Sequence, residues 1–260
     1  MMRVTVLSLN IWNYRGGWAA RRERIAALIR DCAPDVVALQ EVRRDPRYAF
    51  GRDQATQLAR RTGLRRVYAP AMRYWRVPRT EEGLAILTPH TILRHSVVPL
   101  CWDGRDQFDP NRRIALHATI TLPGDIPLDC WVTHLNQRPP MRDASAARLG
   151  AAIAACDTPL PALLMGDFNA EPPERTIALL QASGLRDMWP VAAPDGPGHT
   201  YPAESPRGRI DYLFAAPGWD VVRMERVGVG ARTLSDHCGL LAVLSNPDVV
   251  IASPPRGSGA

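Results

Sequence analysis

Six small polar clusters punctuate this chain, each at the edge of an apolar run. Near the middle, Leu163-Leu164-Met165 leads through Gly166 to Asp167, with Asn169 two positions further on. Asn10, Glu41 after Gln40, His134 with Asn136, Asp211 within Arg209-Ile210-Asp211-Tyr212, and Asp236-His237 after Ser235 complete the set. Singly, each reads as a cap or a turn, and Asp167 with Asn169 as an Asx turn closing a strand. Together, their Asn, Glu, Asp and His side chains fit a site for a hard cation and a phosphate, because such ions take oxygen donors.

The elements that must position these residues follow from hydrophobic patterning. Apolar or alternating runs predict strands over residues 3–9, 35–42, 64–71, 83–87, 91–98, 114–122, 126–133, 159–165, 209–215, 220–229 and 239–244. Helical spacing predicts helices at 18–32, where Ile25, Leu28 and Ile29 share a face, and at 53–62, 141–156 and 173–182. Pro34 closes the first helix, and residues 43–52 and the Pro/Gly-rich 190–208 are loops. Hairpins flanked by helices predict an α+β fold, two packed sheets covered by helices. Side chains at i and i+2 of an extended segment point the same way. Asp167 and Asn169 are therefore expected on one side of a strand end, where open α/β sheets bind ligands.

A chain of 260 residues, 46% hydrophobic and 22% charged, has the composition of a soluble globular protein, and residues 1–245 read as a single domain. Residues 246–260, rich in Ser, Pro and Gly, read as a disordered tail. No apolar run approaches the roughly 20 residues of a membrane span, and no signal-peptide pattern opens the chain. Cys32, Cys101, Cys130, Cys156 and Cys238 form no C-x-x-C pair and read as core residues of a reducing compartment, not a disulfide frame or a zinc motif. A cytoplasmic location is expected. The net charge is +6, and all 32 basic residues are Arg. A biased genome accounts for that first; guanidinium forks also match phosphate oxygens.

In chain order, Leu7-Ser8-Leu9-Asn10, Leu39-Gln40-Glu41, Thr133-His134-Leu135, Gly166-Asp167-Phe168-Asn169, Arg209-Ile210-Asp211-Tyr212 and Ser235-Asp236-His237 resemble the signature blocks of the endonuclease/exonuclease/phosphatase superfamily. The resemblance spans residues 2–244. It implies a four-layer α/β sandwich with a Mg²⁺ or Mn²⁺ site at one end that hydrolyses phosphoester bonds. Carried over block by block, it makes Glu41 the principal metal ligand, with Asn10 and Asp236 holding the ion directly or through water. Asp167 orients or deprotonates the attacking water, Asn169 steadies a phosphate oxygen, His134 contacts the phosphate, and Asp211 buttresses His237. AP endonucleases carry an acidic residue where this chain has Trp12, which leans against abasic-site repair and towards one-metal chemistry.

The residues support these roles on chemical grounds. Mg²⁺ is held by one or two carboxylates plus waters and substrate oxygens, so one strong Glu suffices. A charged His237 meets a developing phosphorane, and a neighbouring carboxylate favours that form. Either Asp167 or the His237–Asp211 pair takes the water's proton. Arg113, beside Arg112 at a strand start, and Tyr201, ahead of the Asp211 block, are expected to meet substrate. Aromatics interleave with Arg at residues 12–18, 74–79 and 102–108, a pattern that suits base stacking or ordinary packing. The expected activity is a phosphodiesterase acting on DNA or RNA, with no protein partner evident. A phosphomonoesterase or sphingomyelinase-like phosphodiesterase comes next, then a silent phosphate-binding module.

Overall fold

The computed structural model describes residues 2–74, 79–104, 109, 111–156, 158, 160–192 and 196–248. Its strands form two six-membered sheets. The first runs β11 (Asp220–Val227), β12 (Gly239–Asn246), β1 (Met2–Asn10), β2 (Val36–Arg44), β4 (Glu81–Thr88), β3 (Arg65–Arg73). The second runs β5 (Thr91–Pro99), β6 (Ile114–Leu122), β7 (Ile126–His134), β8 (Leu163–Asp167), β10 (Asp211–Ala215), β9 (Arg186–Asp187). Each sheet contains one parallel pair, β1 with β2 and β7 with β8. Parallel neighbours need a crossover, which α1 (Trp18–Cys32) and α3 (Pro139–Ala154) supply. Helices α1 and α2 (Gln54–Thr62) cover the outer face of the first sheet. Helices α3 and α4 (Arg175–Ala182) cover the second, and α5 (Met188–Ala192) follows β9. The four-layer sandwich is thus the observed architecture.

The core lies between the sheets and is built by alternation. Val4 and Val6 of β1, Val36 and Ala38 of β2, Leu84 and Ile86 of β4 meet Cys130 and Val132 of β7, Leu163 and Met165 of β8, Leu213 and Ala215 of β10. The alternate residues turn outward: Leu7, Leu9 and Leu39 pack under α1 and α2, while Leu164, Tyr212 and Phe214 pack under α3 and α4. Extending each inward series by two residues lands on Asn10 through Ser8, and on His134, Asp167, Asp211 and Glu82 directly. All of them therefore lie on the inner faces, at one end of the sandwich.

Several boundaries differ from the sequence reading for local reasons. The middle strand starts at Leu163, past Pro161, because proline donates no ladder hydrogen bond. Helix α3 starts at Pro139, since proline is tolerated in a first helical turn, and stops at Ala154. Strand β2 continues to Arg44, two residues into the expected loop. Strand β9 lies ahead of the expected 190–208 loop and α5 runs into it as far as Ala192, short elements with no patterning of their own. Strand β12 runs to Asn246, and residues 249–260 of the expected tail lie outside the described residues. No described helix is long and apolar enough to cross a membrane.

Strand β8 approaches β7 through Gly166, where an added Cβ meets the Thr133 carbonyl oxygen at 2.1 Å, with φ at +153°. Backbone cannot yield as a side chain can. Gly166→Ala is expected to cost about 2–4 kcal/mol in urea unfolding, whereas Gly63→Ala, also at positive φ but with open space around it, should cost about 1 kcal/mol.

Candidate active site

The polar ends of the inner faces enclose a cleft of about 460 Å³ whose walls include Asn13, Glu41, Glu82, His134, Asp167 and His237. Asn10 is its hub. The Asn10 amide donates to Glu41 Oε1 at 3.2 Å and to Asp167 Oδ2 at 3.0 Å, so one side chain joins the two sheets. Its own Oδ1 accepts from the Trp12 N–H at 3.0 Å, which fixes which end is nitrogen. Glu41 owes its direction to a bulge. Leu39 pairs with Ala85 and Val42 with Gly83, so residues 40 and 41 oppose Leu84 alone. Glu41 takes φ +53°, and Leu39 and Val42 both pack outward. The extra residue breaks the alternation and gives Glu41 to the cleft.

On the second sheet, Asp167 and Asp211 are direct cross-strand partners, as are His134 and Asp167. Two carboxylates facing each other repel, and His237 answers that. Its Nδ1 lies 2.9 Å from Asp211 Oδ2 and its Nε2 lies 3.8 Å from Asp167 Oδ2. Ser235 places it: the Ser235 hydroxyl donates to the Asn10 carbonyl at 2.5 Å and accepts from the His237 N–H at 3.3 Å. Thr200 Oγ1 takes the backbone N–H of Ile210 and Asp211.

The two histidines are driven apart electrostatically. Burial opposes charge on His237, but the Asp211 carboxylate, by its charge and hydrogen bond, outweighs it with help from Asp167 and Asp236, so the imidazolium persists well above the usual range. Burial, then Arg113 and His237, push His134 well below it, leaving a neutral ring with Nε2 3.4 Å from Asp167 Oδ2. Burial and then the facing Asp211 raise the proton affinity of Asp167, although His237 and Asn10 lower it. Opposed environments of this kind mark acid–base sites.

Asn169 reaches the cleft differently from expectation. The strand stops at Asp167, Phe168 is buried under α4, and Asn169 takes a left-handed φ of +50°. Its N–H bonds Asp167 Oδ1 at 3.0 Å, an Asx turn, so the competing reading of these residues is also correct. One N–H of the Asn169 amide is spent on the Leu135 carbonyl, and the other remains. Tyr201 stands at the rim with its ring 4.7 Å from that of His237. Arg113 reaches the cleft and is paired to Asp109, while Arg112 lies over the Trp102 ring at 4.4 Å. Rings of the interleaved stretches already carry guanidinium groups: Arg43 covers Tyr74, and Arg21 and Arg232 flank Trp12. Residues 75–78 and 105–108 of those stretches lie outside the described residues.

Sequence reasoning missed three residues. Asn13 donates to Glu41 Oε2 at 3.1 Å and to Glu82 Oε2 at 3.5 Å, joining a second carboxylate to the first. Tyr74 donates to Glu82 at 3.0 Å, and burial, then Glu41, raise the proton affinity of Glu82. The third is Arg21 of α1, whose guanidinium donates to the carbonyls of Ile11, Asn13, Arg15 and Leu234. The inward alternation points to Glu82; no spacing points to Asn13 or Arg21.

The cleft's charged donors are carboxylates and its amides are neutral; no cysteine lines it. Among the described residues Glu41 has no ion-pair partner, only the Asn10 and Asn13 amides. A carboxylate left without an ion pair, beside neutral amides and further carboxylates, fits a hard divalent ion. Arg21 has no such freedom of partner. A lysine there offers three donors without the planar fork, so Arg21→Lys is expected to cost about 2–4 kcal/mol in urea unfolding and to speed amide exchange at residues 11–15, with α1 unaffected.

The sequence of residues 7–237 matches the model of the Endonuclease/Exonuclease/phosphatase family. No curated protein matches the chain. Among solved structures, the chain is similar to an endonuclease/exonuclease/phosphatase from Beutenbergia cavernae, at 26% identity and a TM-score of 0.78, over 95% of this chain and 72% of that one. A mannosyl-6-phosphatase from Bacteroides thetaiotaomicron shares the fold at 18% identity and a TM-score of 0.75, over 93% of this chain and 99% of that one. D. rerio TDP2, complexed with single strand DNA product, does so at 18% identity and 0.73, over 95% and 100% of the two chains. With that model spanning both sheets and every block of the cleft, the chain belongs to the endonuclease/exonuclease/phosphatase family.

Proposed function

We propose that this chain is a divalent-cation-dependent phosphoesterase that cleaves phosphodiesters of nucleic acid with an activated water. The observation that carries the reading is the unbroken line of contacts from Glu41 through Asn10 to Asp167, then to His237 and Asp211. It sets a cation-binding carboxylate beside a carboxylate of raised proton affinity and a charged imidazole. Glu41, with Asn10 and Asp236, would hold Mg²⁺ or Mn²⁺. When bound, such an ion polarises the phosphoryl oxygen and offsets charge on the leaving oxygen.

The protein's own groups do the rest. His237, its Nδ1 occupied by Asp211, offers Nε2–H to a phosphoryl oxygen as negative charge builds there. Asp167 lies beside both histidines and takes the proton of the attacking water. Neutral His134 and the remaining N–H of Asn169 hold further phosphate oxygens. Arg15, Arg43 and Arg113 on the cleft wall, in a chain of net charge +6, favour a substrate with several phosphates over an isolated one. The Bacteroides mannosyl-6-phosphatase marks the monoester alternative.

Offered bis-(p-nitrophenyl) phosphate, the p-nitrophenyl monoester, and single- and double-stranded DNA and RNA with Mg²⁺ or Mn²⁺, the protein should turn over the diester and at least one nucleic acid, and EDTA should abolish it. Turnover of the monoester alone would overturn the nuclease reading, and no turnover at all would leave a phosphate-binding module. Asp167→Asn and His237→Ala should each lower kcat by about 10²–10⁴-fold; Asp167→Asn should change the thermal midpoint little, whereas His237→Ala should lower it, because the facing Asp167 and Asp211 carboxylates lose their cation. Asp211→Asn should lose less, because it leaves an oriented but more weakly charged ring.

A further inference from the structure

On the outer face of the second sheet, away from the cleft, three side chains with metal-ligating atoms converge. They are His117 of β6, Asp129 of β7 and Cys156, just past the end of α3, and one atom from each lies within 4.8 Å of the other two. The chemistry of the cleft uses none of them. We propose that they form a zinc-class metal site, with imidazole nitrogen, carboxylate oxygen and thiolate sulfur as ligands and a fourth position left to water. A mixed N, O, S set suits Zn²⁺ and is foreign to Mg²⁺. The five cysteines show no zinc spacing because two of the three ligands are not cysteines and the donors come from separate elements.

Each ligand is held by a neighbour of the kind metal sites use. His117 turns Nε2 to Asp129 Oδ1 at 2.7 Å, while its Nδ1 faces the Ser96 hydroxyl at 3.3 Å, which leaves Nε2 as the ligating atom. Trp131 stacks on the ring with centroids 4.4 Å apart and fixes its plane. The hydroxyls of Thr119 and Thr158 donate to the two Asp129 oxygens at 2.5 Å and 3.0 Å.

One further observation points to an occupant. The Trp131 indole N–H is buried, makes no hydrogen bond of good geometry, and interacts with the Cys156 side chain. A neutral thiol is a poor acceptor for it; a metal-bound thiolate is a good one.

The full chain, stripped with EDTA and titrated with Co²⁺ as an optically visible stand-in for Zn²⁺, tests this. A sulfur-to-cobalt charge-transfer band saturating at one equivalent, displaced by Zn²⁺, is expected. It should persist in Glu41→Ala, which disables the cleft's own cation site, and vanish in Cys156→Ala. Asp129→Asn should weaken Co²⁺ binding at least tenfold. Zn²⁺ should raise the thermal midpoint of the wild type and not that of Cys156→Ala, whose phosphoesterase turnover stays within about twofold of wild type. A folded wild type without the band, a band that survives Cys156→Ala, or binding that disappears only in Glu41→Ala would each overturn the assignment.

Discussion

Two sheets that face each other share one constraint: their inner faces must change from apolar to polar at the same end. Alternation then does the sorting. Val4 and Val6 lead through Ser8 to Asn10, Cys130 and Val132 to His134, Leu163 and Met165 to Asp167. Strands β4 and β10, running the other way, begin at that end with Glu82 and Asp211. A wall of hydrocarbon thus stops along one plane, and the groups beyond it are buried by geometry, not by choice. Burial of this kind raises the proton affinity of Asp167 and Glu82 and lowers that of His134. The proton affinities of the cleft are a consequence of where the core ends.

Such an end is costly unless its loops are tied down. Trp12, Asn13, Glu41 and Asn169 all hold positive φ, conformations that side chains other than glycine resist. The guanidinium of Arg21, stacked between Trp12 and Trp18, satisfies the carbonyls of the 11–15 loop and of Leu234, one residue before the block that carries Asp236 and His237. One buried side chain on α1 therefore spans both loops that border Glu41. Its charge is balanced at a distance by Asp236 and Glu41, the very groups those loops present.

This also explains what was legible in the chain. Strand period and polar punctuation suffice for Asn10, His134, Asp167 and Asp211, because an inward series continues by two. They do not suffice for Glu41, whose odd parity on β2 faces outward until a bulge corrects it. Asn169 was expected by the same i, i+2 rule and reaches the cleft instead through a left-handed turn, which the rule does not contain. Asn13 and Arg21 act through a loop and a helix whose patterning concerns other contacts. The short β9 and α5 are packed by their neighbours, and five residues are too few to show a period.

By the block resemblance, Trp12 stands where AP endonucleases carry an acidic residue, which removes one carboxylate from the neighbourhood of Glu41. The fold restores a partner from elsewhere. Asn13, the next residue, reaches Glu41 and Glu82 with the same amide nitrogen, and Glu82 arrives from β4, which pairs with β2 beside the bulge. Trp12 meanwhile gives its backbone N–H to Asn10 and its ring to Arg21 and Arg232. Trp12 is thus a brace for the loop, and the second carboxylate beside Glu41 comes from the neighbouring strand, with its proton affinity raised by burial and by Glu41. The carboxylates near Glu41 are therefore set by the three-dimensional bulge and loop, and block position alone does not reveal Glu82.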